Sequence, residues 1–201
     1  MVSIYELKPR FQGLLRPIVK QLAELGITAN QVTVLAMLLS FVAGGFIFLY
    51  PDQYWPLLAI PVVLFVRMAL NAIDGMLARE HDMKSSLGAI LNELGDVLSD
   101  AALYLPLALI SGINATLVVL VVLVAIISEM TGVVAIQIGA SRRYDGPMGK
   151  SDRAFVFGVI ALALGLGFSI ASWVNYALMV TLLLLCLTVL NRARQALKEI
   201  E

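Results

Sequence analysis

The chain has 201 residues, 60% of them hydrophobic and 14% charged, with 14 basic and 14 acidic side chains that cancel. A mean hydropathy of +0.92 lies beyond the range of soluble domains, and no basic surface interleaved with aromatics offers itself to nucleic acid. The lone cysteine, Cys186, excludes an intrachain disulfide and reads as a small packing residue.

Residues 1–29 come first. Ile4, Leu7, Phe11, Leu14, Leu15, Ile18, Leu22 and Leu25 recur at steps of three and four with basic residues between them. This predicts an amphipathic helix that either lies in the cytoplasmic interface or packs on the rest of the protein as a soluble helix would. Pro9 and Pro17 should break or kink it. No signal-peptide pattern precedes the first apolar run, so that run is expected to insert uncleaved.

Residues 30–201 read as one all-α, polytopic membrane domain. Six apolar runs, 31–50, 54–79, 87–109, 115–140, 152–170 and 174–191, are long enough to cross a bilayer, each crossing needing about 20 residues. Basic residues flank alternate connections. Lys8, Arg10, Arg16 and Lys20 precede the first run, and Arg79 and Lys84 flank the second connection. Arg142, Arg143, Lys150 and Arg153 cluster at the fourth, and Arg192, Arg194 and Lys198 follow the last run. The connections at 51–53, 110–114 and 171–173 have no Lys or Arg, which predicts six spans with both termini cytoplasmic. Those three connections are too short to fold alone, so chemistry must sit in the bundle or at its cytoplasmic mouth.

The first span opens at "GITANQVTVL", where Thr28 or Asn30 can cap the helix. Gly44, Gly45, Pro61 and Pro106 read as packing and kink positions. Polar residues then appear at helical intervals. Arg67, Asn71, Asp74 and Ala78 share one face of the second span, and Gly88, Asn92, Asp96 and Asp100 share one face of the third. The short loop "EHDMKSS" makes these helices antiparallel neighbours, so the two stripes can face each other.

A carboxylate in the hydrocarbon region costs at least about 2–3 kcal/mol. A hard divalent cation gives a reason to accept that cost, because carboxylate and amide oxygens suit Mg²⁺, Mn²⁺ or Ca²⁺. Gly75, Ala78 and Gly88 would let a ligand approach the backbone closely. The alternatives are a buried polar network that holds the bundle together and a cation pathway.

The segment resembles the signature of the CDP-alcohol phosphotransferase family, Asp-x2-Asp-Gly-x2-Ala-Arg-x8-Gly-x3-Asp-x3-Asp. Asp74, Gly75, Ala78, Arg79, Gly88 and Asp96 match it, while Asn71 and Asn92 stand at two of the four aspartate positions. "TANQVT", with Asn30 and Thr33, and "GKSDRA", with Lys150 and Arg153, are similar to further family features, and more narrowly the chain resembles a bacterial inner-membrane branch. The resemblance implies transfer of a phosphatidyl group from a CDP-linked lipid, such as CDP-diacylglycerol, to an alcohol, with release of CMP. It implies one or two Mg²⁺ or Mn²⁺ ions, no organic cofactor, a homodimer and an active site facing the cytoplasm.

By the same resemblance, Asp74, Asp96, Asn71 and Asn92 are the metal ligands, and Asp96 is also the base. Gly75, Ala78, Arg79 and Gly88, with Asn30 and Thr33, line the nucleotide site. Asparagine keeps a carbonyl oxygen but brings no charge. Either one ion is held, or Glu93 or Asp100 restores charge, or phosphotransfer is lost and the chain binds CDP-lipid or a partner as a regulator. Glu93 should point about 100° from Asn92, which favours Asp100. Arg79 is placed either to reach phosphates or to snorkel. Lys150 and Arg153 suit an anionic acceptor or headgroup but also satisfy the positive-inside rule. Arg67 is expected to pair with Glu129, and His81 to be solvated.

Overall fold

The computed structural model describes the backbone of residues 4–169 and 173–201, and side chains from residue 11 onward within those ranges. The expectations for the Ile4 and Leu7 side chains, and for residues 170–172 of the last connection, lie outside the described residues. Every regular element described is helical: α1 (Ile4–Glu24), α2 (Ala29–Leu49), α3 (Tyr54–Glu80), α4 (Ser86–Tyr104), α5 (Ala115–Val134), α6 (Lys150–Gly165) and α7 (Trp173–Ile200). Short 3-10 turns follow α4 at Leu105–Leu109 and α5 at Ala135–Ile138.

Two compact units emerge. The first combines the chain up to Val42 with Val62–Ser99, and the second combines Ala43–Pro61 with Asp100–Glu201. In the first, Leu15 and Val19 of α1 are one turn apart and bury against Ala29 and Val32 of α2 and Ile73, Met76 and Leu77 of α3. Phe11 and Leu22 extend this seam. Leu14 and Leu25 are about three-quarters exposed, and Ile18 is exposed beside them. The α1 stripe is therefore split between a packed edge and an apolar edge turned outward.

The expected break at the prolines does not occur, since α1 runs through Pro9 and Pro17. A proline removes one backbone bond and strains the turn before it, but its fixed φ is itself helical. Tertiary contacts at Leu15 and Val19 hold the turns that flank Pro17. Arg16 donates two hydrogen bonds to Glu80 at the end of α3, at 3.1 and 3.0 Å. That bond and the carboxylate charge raise the Arg16 guanidinium above its ordinary value.

Capping explains where the next helices begin. Thr28 accepts from the Gln31 amide through Oγ1 at 3.3 Å, and Gln31 Oε1 accepts from the Thr28 amide at 2.9 Å, a reciprocal capping box. Thr28 is thus the cap, and Asn30 is left for other work. Ser85 Oγ accepts from the Gly88 amide at 2.9 Å and starts α4 in the same manner.

In the second unit, α5 and α7 bury regular faces, among them Val118, Val121, Val122 and Ala125 on one and Val174, Leu178, Thr181 and Leu185 on the other. Tyr104 stacks on Phe157 of α6 with centroids 3.9 Å apart. Gly44 of α2 lies against Ala102 of α4, where any Cβ would overlap the Ala102 carbonyl.

Among the described residues, four helical segments are long and apolar enough to cross a membrane: Ala29–Leu49, Tyr54–Glu80, Ala115–Ile138 and Trp173–Ile200. Large apolar side chains such as Leu38, Phe48, Leu123 and Leu183 lie exposed along them, as lipid-facing residues would. The protein is a membrane protein. The runs at 87–109 and 152–170 also contain helices, but α4 carries Glu93, Asp96 and Asp100, and α6 has only 16 residues.

Candidate functional site

The site lies in the first unit, where α2, α3 and α4 bound a cavity of about 360 Å³. α3 contributes Asp74, Gly75, Ala78 and Arg79, α4 contributes Gly88 and Asn92, and α2 contributes Asn30 and Thr33. All eight were predicted site residues. The helical spacing of each stripe brings its members to one face, and the tight turn before α4 brings the faces together.

Asp74 is buried, 5% exposed, and its Oδ2 accepts a hydrogen bond from Thr33 Oγ1 at 2.8 Å. Thr33 Oγ1 lies 3.1 Å from the Ala29 carbonyl, one turn back on α2. The Thr33 hydroxyl thus fixes one carboxylate oxygen from a neighbouring helix. Asn30 Nδ2 donates to Ser85 Oγ at 3.2 Å, tying α2 to the α4 cap. A Cβ at Gly88 would come within 2.6 Å of Asn30 Oδ1 and 3.0 Å of Ser85 Oγ, so any larger residue would force this wall to shift. The Arg79 guanidinium folds over Gly75, with Nη2 2.9 Å from where a Cβ would sit.

One turn farther from the loop, Asn71 Nδ2 donates to Asp96 Oδ1 at 3.4 Å. Arg67 approaches the same Oδ1 at 3.6 Å and donates from Nη2 to the Asp96 carbonyl at 3.1 Å. Arg67 was expected to pair with Glu129; the contacts found give it Asp96.

Glu129 lies in the second unit, where Oε1 meets Arg153 Nη2 at 3.1 Å and Oε2 meets Arg192 Nη1 at 3.3 Å and Arg142 Nη2 at 3.6 Å. Asp100 belongs to this second cluster. Its Oδ2 accepts from Arg153 Nε at 3.2 Å and Nη2 at 2.9 Å. The expectation that Asp100 restores the missing charge thus meets a carboxylate already committed to a guanidinium. Arg153, expected at an anion site, is 2% exposed and serves these acids. Lys150 opens α6, partly buried.

Glu93 corrects another expectation. It was expected to turn from Asn92, but it lines the same cavity, as do Lys84 and Ser85. A cavity wall spans more than one stripe, so adjacent helical positions can both reach it. Ser85 was detectable from its place three residues before Gly88, but Lys84 carried no local signal.

Among the described residues, no three His, Cys, Asp or Glu side chains form a metal-ligand group. The stripe instead offers two carboxylates, Asp74 and Asp96, and two amide carbonyls, Asn71 and Asn92. Such an all-oxygen set fits a hard divalent cation. It lacks the charge of a four-carboxylate site.

A family model described as CDP-alcohol phosphatidyltransferase matches residues 26–190. The chain is 45% identical to inner membrane protein YnbA of Escherichia coli (strain K12) over 196 residues, 98% of this chain and 97% of that one. Its fold is similar to that of Mycobacterium tuberculosis phosphatidylinositol phosphate synthase PgsA1 with CDP-DAG bound. The TM-score is 0.75 at 19% identity, over 90% of this chain and 92% of that one. The structure of that enzyme with manganese and citrate gives the same TM-score and identity, over 90% of this chain and 88% of that one.

Proposed function

The chain belongs to the CDP-alcohol phosphatidyltransferase family, and from that premise we propose that it transfers a phosphatidyl group from a CDP-linked lipid to an alcohol. The observation that carries this reading is the convergence of Asn30, Thr33, Asp74, Gly75, Ala78, Arg79, Gly88 and Asn92 on one cavity. CDP-diacylglycerol is the proposed donor, supported by the similar fold that binds CDP-DAG.

In this reading the acceptor hydroxyl oxygen attacks the β-phosphorus of the donor. A new phosphorus–oxygen bond forms, the bond to the CMP oxygen breaks, and CMP leaves. Asp74, with the Asn71 and Asn92 carbonyls, would hold Mg²⁺ or Mn²⁺, which when bound neutralises the diphosphate and eases departure of CMP. The manganese complex of the similar fold supports this choice of ion. Asp96 accepts the hydroxyl proton. Gly75, Ala78 and Gly88 leave room for the nucleotide against the backbone, and Arg79 and Lys84 on the cavity wall bind phosphate oxygens. Thr33 holds Asp74 in place.

The wider architecture belongs to the same proposal. α2 to α7 make six spans, with both termini and the cavity on the cytoplasmic side of a bacterial inner membrane. α1 and the residues up to Leu25 lie along that surface with Leu14, Ile18 and Leu25 toward lipid, and two copies form a homodimer.

A second reading is favoured by one observation, the absence among the described residues of a group of three His, Cys, Asp or Glu placed to hold a metal. In it, the chain binds CDP-lipid without turnover and regulates lipid synthesis. Release of CMP from CDP-diacylglycerol by purified protein, with Mn²⁺ and a panel of alcohols, separates the two. We expect CMP release that Asp96→Ala lowers by at least about a hundredfold. Mn²⁺-dependent binding without CMP favours the second reading, and neither activity nor binding overturns both.

A further inference from the structure

Building on the phosphotransfer reading, we infer that Arg67 is a fixed cation of this site, held at Asp96, so that the cavity takes a single divalent ion. Arg67 is the one basic residue deep within α3. It is 3% exposed and lies one helical turn from Asn71 on the same face. Its Nη2 reaches both the Asp96 carbonyl, at 3.1 Å, and Asp96 Oδ1, at 3.6 Å. Asn71 turns its Nδ2, a donor, to that same Oδ1 at 3.4 Å.

Asp96 Oδ1 is therefore met by two N–H groups, one of them charged. A guanidinium keeps its proton at any pH a protein survives, so its charge is permanent. A second metal ion would lie about 4 Å from the first and would need Asp96 as a ligand. It would then share that carboxylate with Arg67 at a distance where like charges repel strongly inside a protein.

Asn71 fits the same arrangement. An aspartate there would set a second carboxylate beside Asp96 Oδ1, whereas the amide donates to it. Asp74, by contrast, receives a neutral hydroxyl from Thr33, a contact that orients a ligand without adding positive charge. The ion then sits at the Asp74 end, and Arg67 takes the place of its neighbour. Arg67 is a positioning residue in this scheme, since it acts on Asp96 and not on the reacting atoms.

Electron paramagnetic resonance of Mn²⁺ titrated into the purified full-length protein, with and without CDP, tests the assignment. Native protein is expected to bind one Mn²⁺ per chain with the spectrum of an isolated ion, and Asn71→Asp is expected to do the same. Arg67→Gln combined with Asn71→Asp should bind two ions and show the broadened spectrum of a coupled pair. A coupled pair in native protein overturns the inference, as does one in Asn71→Asp alone or a single ion in the double variant. Should the double variant not fold, the native and Asn71→Asp spectra still decide. Failure of every protein to bind Mn²⁺, even with CDP, overturns the phosphotransfer reading beneath it.

Discussion

At Thr33 a single hydroxyl joins α2 to the Asp74 carboxylate, the proposed metal ligand. Outer-shell partners of metal ligands tune affinity by about 10–100-fold. Thr33→Val should therefore weaken Mn²⁺ binding by about tenfold in a calorimetric titration while leaving the melting temperature nearly unchanged. A large fall in melting temperature with unchanged affinity would assign Thr33 to packing instead. Much of the site was legible at this scale, because helical spacing decides which residues share a face, and Asp74, Ala78, Gly88 and Asn92 follow it. Partners across helices were not legible. Nothing in the order of residues says that Arg67 meets Asp96 or that Asp100 meets Arg153, since those contacts depend on how helices are rotated against each other.

Among the elements, α5 shows what holds the second unit. Its Glu129, 12% exposed at the side chain, meets Arg142, Arg153 and Arg192. Removing one partner of a buried ion pair costs about 3–5 kcal/mol because the remaining charge is left uncompensated. Glu129→Gln should lower thermal stability by that order in detergent. Glu199→Gln should have a much smaller effect, because Glu199 holds Ser141 and Arg143 at an exposed position where solvent screens the pair. Equal losses in the two variants would remove Glu129 from its central role. Helix starts were legible where a cap was present, as at Thr28. The course of α1 through Pro17 was not, because a local penalty was outweighed by contacts at Leu15 and Val19 supplied from α2 and α3.

For the molecule as a whole, the alternation of basic connections with ones that lack Lys and Arg carries the proposed topology. In a Cys186→Ser background, Asp82→Cys should react with a membrane-impermeant thiol reagent only from the cytoplasmic side, and Gly112→Cys only from the other. Labelling of both from one side would contradict six spans between cytoplasmic termini. The helical class was legible from apolar run lengths alone. The status of α4 and α6 was not, because α4 carries the acids Glu93, Asp96 and Asp100 and α6 is short. The most direct measurement is binding of CDP-diacylglycerol to the purified protein with and without Mn²⁺, in native protein and in Asp74→Asn. Binding that requires Mn²⁺ and weakens by at least about a hundredfold in Asp74→Asn is the expected result. Binding that is indifferent to both the cation and the substitution would contradict a diphosphate gripped through a metal at this cavity.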